Sequence, residues 1–369
     1  MLIDGKWTAN WQPVQKADER GRFVRQESSF RNWITPDGSA GPTGTGGFKA
    51  EAGRYRLYVA LICPWASRTL IARKLKRLEE IIPVTVVNPR LDDQGWRFGG
   101  FAGADEDPLY GAGHLHDLYT RADPHVSGRA TVPVLWDEAQ GVMVNNESAD
   151  ILRMFDTAFA ALAPSDIRLA PEDLRARIDA ANAQIYPRYN NGVYKAGFAS
   201  TQAAYDEAVT QLFDEMARME QHFSDGRPFY FGDSLTETDI RIFVTSIRFD
   251  AAYHGLFKCN IRRLEDHAHL HAHMLRVLNT GGIAETVDLD HIKAGYYGIK
   301  ALNPPRIIPA GPATLAAEIA AAKAALRPGR SSRRQHPGKR RSEPWAPSPP
   351  LLQDAPAARG GQSPLPLPT

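Results

Sequence analysis

Cys63 is followed by Pro64 and Trp65, and the pattern of the chain changes across it. The thiolate, not the thiol, is the nucleophile, so what matters is how the proton is held. Proline suits the first turn of a helix, where its missing N–H leaves no bond unmade. A cysteine just ahead of that turn faces free backbone N–H groups at the positive end of the helix dipole. In such a place a thiol pKa falls from about 8.5 to between about 3.5 and 7.5. Cys63 is therefore a candidate reactive cysteine; a buried structural cysteine that happens to precede a helix is the alternative. A dithiol redox motif would put a second cysteine at position 66, where the chain has Ala66. Exchange must then pass through a mixed disulfide resolved by an external thiol. A cysteine attacks sulfur itself, so the residue chemistry points to thiol transfer rather than conjugation.

Three other groups could bear chemistry. Asn145-Asn146-Glu147-Ser148 precedes a helical pattern carrying Ile151, Leu152 and Phe155. A cap residue and free N–H groups suit a carboxylate ligand there, and plain N-capping accounts for the same residues. His267, His269, His271 and His273 form two i, i+4 pairs, a metal-binding spacing. No third ligand accompanies them, and they read as a solvated helix face. Gly41 to Gly47 follows no strand and lacks the Gly-Lys-Ser/Thr ending of a phosphate loop, so it reads as a flexible turn. Cys259 has no helix-start context and reads as packing.

The elements that must position Cys63 are local. Tyr55, Leu57, Val59 and Leu61 alternate with Arg54, Arg56, Tyr58 and Ala60, the period of a strand. Beyond the turn Ile71, Leu75 and Leu78 share one helix face, with Arg73, Lys74, Lys76 and Arg77 mostly on the other. Val84–Val87 is the expected second strand of a βαβ unit. From Asn88 to Arg129 the pattern is lost and a long irregular insertion is expected. Thr131–Trp136 reads as a strand interrupted by Pro133, which belongs at an edge or in a special turn. Asp156–Pro171 looks like a linker, and helical patterns dominate after it. Leu235–Ile240 carries a capping box closed by Asp239, with Leu235 and Ile240 as its hydrophobic staple. Residues 1–50 have no sustained period; Trp7, Trp11, Phe23, Phe30 and Trp33 are expected to pin an irregular extension onto the body. An alanine-rich helix over Ala316–Leu326 gives way at Arg327 to a Pro- and Arg-rich tail with too few core-forming side chains to fold, which is expected to be disordered.

Composition narrows the function further. No run approaches the roughly 18 apolar residues of a membrane span, and the N-terminus lacks the pattern of a secretory signal. Two cysteines make no disulfide framework, which favours a reducing cytoplasm. The net charge is +2, but most of the excess positive charge lies after Leu326. The mildly acidic body argues against nucleic-acid binding.

Cys63-Pro64-Trp65-Ala66 and the helix after it resemble the active-site turn of glutathione transferases with a catalytic cysteine. The closest resemblance is to the Xi class, the glutathionyl-hydroquinone reductases. It extends from Phe48 to Pro312 through Thr131–Asp137, Asn145–Ser148, Asn190–Ala199, Leu235–Arg241, Phe257–Asn260, His291–Tyr297 and Asn303–Pro312. The resemblance implies an α/β thioredoxin-like N-terminal domain over residues 51–157, after the extension of residues 1–50. An all-α C-terminal domain would follow over 172–312, and residues 313–369 would form a helix and the disordered tail. It also implies glutathione as co-substrate, no metal, and a homodimer formed through the helical domains. Cys63 would attack the glutathione sulfur of a glutathionyl-hydroquinone, and a second glutathione would release oxidised glutathione. Tyr194 would donate the proton to the leaving carbon, and Tyr253 and Tyr296 would line the aromatic pocket and help stabilise the thiolate. Glutathione would be held by Trp96, Arg129, Thr131, the main chain of Val132 before a cis Pro133, Glu147 and Ser148. Ser67 stands where the family usually has histidine, and Gly295–Lys300 departs from its H-Y-Y-x-S-H. An omega-like thioltransferase acting on dehydroascorbate or protein–glutathione disulfides, and a non-catalytic glutathione-fold binding module, are the competing readings.

Overall fold

In the computed structural model the described residues are 1–8 and 17–326. Trp11 and the tail from Arg327, with their expected roles, lie outside them. A short hairpin of β1 (Leu2–Ile3) and β2 (Lys6–Trp7) opens the chain. Residues 17–54 have little regular structure, as their lack of period predicts. Then follow β3 (Tyr55–Val59), α1 (Pro64–Leu75), β4 (Val84–Val86), α2 (Leu115–Ala122), β5 (Val134–Asp137), β6 (Val142–Asn145) and α3 (Ser148–Thr157). The strands form one sheet in the order β4-β3-β5-β6. β4 is parallel to β3, β5 antiparallel to β3, and β6 antiparallel to β5. That is the thioredoxin-like arrangement, with the βαβ unit around Cys63.

The alternation in β3 marks two covered faces, not one dry and one wet. Leu57 and Val59 are buried, and so is Tyr58 on the other side, its hydroxyl donating to Asp107 at 3.0 Å. The covering piece is the insertion of residues 88–129. It is not wholly irregular: α2 closes it with a capping box between His114 and Asp117. Gly and Pro ahead of it, and its length of two turns, hid its period.

The helices after residue 171 are α4 (Arg175–Ile185), α5 (Gly192–Gly197), α6 (Gln202–His222), α7 (Glu237–Arg248), α8 (Ala268–Leu278), α9 (Leu289–Tyr297) and α10 (Ala313–Leu326). Thr236 and Asp239 form the expected capping box of α7, with Leu235 and Ile240 buried beside it. Two wide π turns, Tyr186–Asn190 and Phe249–Tyr253, interrupt the helical register. Such turns recur at functional sites. Among the described residues no helix is long and apolar enough to cross a membrane.

Packing covers one basic face in part and corrects one expectation about polar residues. The basic side of α1 is only partly solvated: Arg77 is exposed, but α1 packs against α3 and α7. Lys76 is buried, with Nζ 3.1 Å from Asp156 and 2.6 Å from the Ile167 carbonyl. The linker is thereby pinned, since Asp156 also accepts from the N–H groups of Leu169 and Ala170. The four histidines do not form a solvated face. His267 and His273 are buried, and His273 Nε2 bonds the capping Asp239 at 2.9 Å. His271 reaches Glu318 at 3.2 Å. No metal-holding cluster of His, Cys, Asp and Glu occurs among the described residues.

Candidate active site

Cys63 closes β3's run into α1. It is the N-cap residue, with φ −76° and ψ 120°, and Pro64 occupies the first helical position. The sulfur faces the N–H groups of Trp65 and Ala66 and donates to the Val132 carbonyl at 3.6 Å. It opens, partly exposed, on a cavity of about 860 Å³. The electrostatics depart from the sequence-based expectation. Burial pushes the Cys63 thiol above its ordinary pKa, against the opposing pull of the Ala66 and Trp65 amides and of the Arg248 and Arg25 charges. The helix-start amides are where the sequence puts them, but desolvation by the surrounding protein outweighs them.

The same cavity takes in the expected glutathione residues. Trp96, Arg129, Thr131, Val132, Pro133, Glu147 and Ser148 all line it. The Val132–Pro133 bond is cis. Val132 lies next to Cys63, whose sulfur its carbonyl meets. Glu147 caps α3, its side chain accepting from the Ala149 N–H at 3.1 Å, and Ser148 is buried beside it. Capping and ligand binding are compatible here, because Glu147 also reaches into the cavity.

The opposite wall is aromatic. Tyr194 and Tyr296 line it, but Tyr253 does not. Tyr253 is buried one layer behind, held by the second π turn. Its hydroxyl pairs with that of Tyr296 at 2.7 Å, and Tyr296 pairs with Tyr194 at 2.6 Å. Burial raises all three phenols, Tyr194 to about 12, with Cys63 adding to its rise. They stay neutral donors at ordinary pH. Gly197 permits this packing: a Cβ there would lie 2.3 Å from the Phe257 ring, which packs against Tyr194. Gly295 does the same near the cysteine turn, where a Cβ would meet Ile62 at 2.3 Å and the Pro89 carbonyl at 2.7 Å.

The family profile described as "Glutathione S-transferase, N-terminal domain" matches residues 62–158, and "Glutathione S-transferase, C-terminal domain" matches residues 202–276. A protein of Escherichia coli (strain K12) named glutathionyl-hydroquinone reductase YqjG is 50% identical over 313 residues, covering 84% of this chain and 94% of its own. A glutathione-bound structure of YqjG superposes with a TM-score of 0.77 at 48% identity, over 84% of this chain and 95% of that one. The glutathione-S-transferase Xi of Phanerochaete chrysosporium does so with a TM-score of 0.77 at 46% identity, over 82% and 98%. The chain belongs to the Xi-class glutathione transferases, the glutathionyl-hydroquinone reductase family.

Two parts of this Xi-class site are not evident in the sequence. The N-terminal segment is one: Phe23, Arg25 and Ser28 line the cavity, and Ser28 donates to Glu147 at 3.0 Å. Scattered aromatics were its only signal. Arg248 is the other. It is buried at the end of α7 and donates to the carbonyls of Ile62 (2.7 Å) and Leu61 (2.9 Å) and to Ser67 Oγ (2.6 Å). Ser67 in turn donates to the Cys63 carbonyl at 3.0 Å. A basic residue in the last turn of a helix reads as a dipole partner, so its inward direction had no local signature.

Proposed function

We propose that this chain cleaves glutathionyl-hydroquinones to hydroquinone and oxidised glutathione. The observation that carries the reading is one cavity holding a lone cysteine at a helix start across from two hydrogen-bonded tyrosines. Residues 51–157 would hold glutathione through Trp96, Arg129, Thr131, Val132, Pro133, Glu147 and Ser148. Residues 172–312 would supply the aromatic wall. Glutathione approaching with its sulfur at Cys63 brings its own main chain beside Val132 and its γ-glutamyl end toward Glu147 and Ser148.

Cys63, as thiolate, forms a disulfide with the glutathione sulfur while the carbon–sulfur bond breaks. The ring carbon receives the proton it carries away from Tyr194, whose hydroxyl stays protonated to about pH 12. Tyr296 holds Tyr194 in place and Tyr253 holds Tyr296. A second glutathione attacks the mixed disulfide and frees Cys63. Position 66 carries no sulfur to do this internally. A homodimer formed through the helical domains and a reducing cytoplasmic setting complete the reading; both cysteines are free thiols.

The test is mass spectrometry after exposure to a glutathionyl-hydroquinone. A glutathione adduct confined to Cys63, with hydroquinone released and both lost in Cys63→Ser, is the expected result. Turnover retained in Cys63→Ser overturns the reading. Adduct formation from disulfides without any hydroquinone release turns it into an omega-like thioltransferase.

A further inference from the structure

Arg25 stands out among the cations of the cavity by its ring contacts. Arg31 is paired with Asp150 at 2.6 Å; Arg68, which donates to Asn190 at 3.0 Å, lies 5.9 Å from one ring, that of Trp65, and like Arg241 keeps a buried Nε with no partner. Arg25 lies over three rings: its guanidinium carbon is 3.8 Å from the centroid of Trp65, 4.8 Å from that of Tyr194 and 5.2 Å from that of Phe23. Nε donates to Asn191 at 2.9 Å, while Nη2 is buried with no hydrogen-bond partner. Stacking uses the face of a guanidinium and leaves its in-plane donors to be met. A buried donor left unmet costs about 1–3 kcal/mol. The charge thus stands where the cysteine turn meets the aromatic wall, with more donor capacity than the protein around it uses. What fits is an oxygen on a flat ring laid against that wall.

We propose that Arg25 is a further catalytic residue, which donates to a ring oxygen of the hydroquinone and carries the negative charge that arises there as the carbon–sulfur bond breaks. This rests on the reductase reading above. In the chemistry, Tyr194 adds a proton to the ring carbon bearing sulfur as a ring hydroxyl gives up its own, so the ring enters its ketone form. That hydroxyl proton restores Tyr194. The Cys63 thiolate then bonds to the glutathione sulfur, and the carbon–sulfur electron pair passes through the ring to the ketone oxygen. The ring is reduced and the two sulfurs are oxidised to a disulfide. The oxygen becomes a phenolate, and the proton it takes up balances the one Cys63 lost on ionising. Arg25 polarises the ketone and then stabilises the phenolate. The leaving group must accordingly bear an oxygen ortho or para to the sulfur.

The experiment compares two substrates of the whole chain. One is a glutathionyl-hydroquinone; the other is the mixed disulfide of glutathione and 2-mercaptoethanol, whose departure places no charge on a ring. With Arg25→Met, hydroquinone release falls about 10²-fold, as when one oxyanion donor is removed, and transfer from the disulfide falls at least about tenfold less. Arg25→Lys, which keeps the charge, recovers part of the loss. Across ring-substituted conjugates, the Arg25→Met rate also depends more steeply on the acidity of the released hydroquinone. Equal losses on both substrates would confine Arg25 to packing or to supporting the Cys63 thiolate and overturn the proposal, as would an unchanged hydroquinone rate or unchanged slope. A wild-type protein that handles the disulfide but releases no hydroquinone would instead overturn the reductase reading itself, a result told apart by the wild-type arm alone.

Discussion

Replacing Arg248 by methionine tests whether the helical half of the chain holds the cysteine turn in place. Arg248 is 2% exposed, and its guanidinium donates to the carbonyls of Leu61, Ile62 and Val244 and to Ser67 Oγ. All four acceptors are neutral. Methionine fills much of the volume but donates nothing, so the Leu61 and Ile62 carbonyls lose this partner. Two orphaned acceptors at about 1–3 kcal/mol each amount to roughly 2–6 kcal/mol. Removing a buried charge whose bonds all go to neutral groups returns part of that, so a net loss of about 2–4 kcal/mol is expected. Urea unfolding reads it as a lower midpoint at unchanged slope. The second readout is chemical. Arg248 is one of the charges that pull the Cys63 proton off. The rate of iodoacetamide alkylation against pH, with Cys63→Ser as blank, therefore has its midpoint above an ordinary thiol's in the wild type and higher still in Arg248→Met. Arg248→Lys keeps the charge and loses the fork, so it recovers the alkylation midpoint more fully than the urea midpoint. A methionine variant matching the wild type in both would refute the reasoning: the turn would then be held by β3 and α1 alone.

Tyr194→Phe removes the proposed proton donor but keeps the ring that packs against Trp65 and Phe257, so hydroquinone release should fall by about 10²- to 10⁴-fold while Cys63 still accepts glutathione from a disulfide. Loss of both activities in that variant would argue against a donor role. At alkaline pH the sign follows from the raised phenols: the unfolded chain ionises its tyrosines near 10.0 while Tyr194 stays neutral to about 12 and Tyr253 and Tyr296 beyond their ordinary value. The stability these groups contribute is fully present below pH 10 and is lost as pH rises through the folded values, which urea midpoints between pH 8 and 11 would follow; a flat profile refutes it.

What could be read in the sequence was whatever neighbouring residues decide between themselves. The cysteine turn, the strand expected over Val84–Val87, the helix start expected within Asn145–Ser148 and the Thr236–Asp239 box each depend on residues a few positions apart, and each lies where its pattern predicts, to within a residue. What could not be read depends on partners far away in the chain. Lys76 finds Asp156, Arg248 finds the Cys63 turn, and Ser28 finds Glu147 across distances for which a single sequence has no period. The thiol shows the two kinds of cause in opposition at one atom. The N–H groups of Trp65 and Ala66 are local and favour the anion; the burial that opposes them comes from distant segments folded over the turn, and it is the larger effect. A helix start therefore makes Cys63 reactive only to the extent that the rest of the fold lets charge form there. The positive charges of Arg25 and Arg248, both brought from outside the βαβ unit, act in that direction. The nucleophile is thus set by the N-terminal segment and α7 as much as by the turn that carries it.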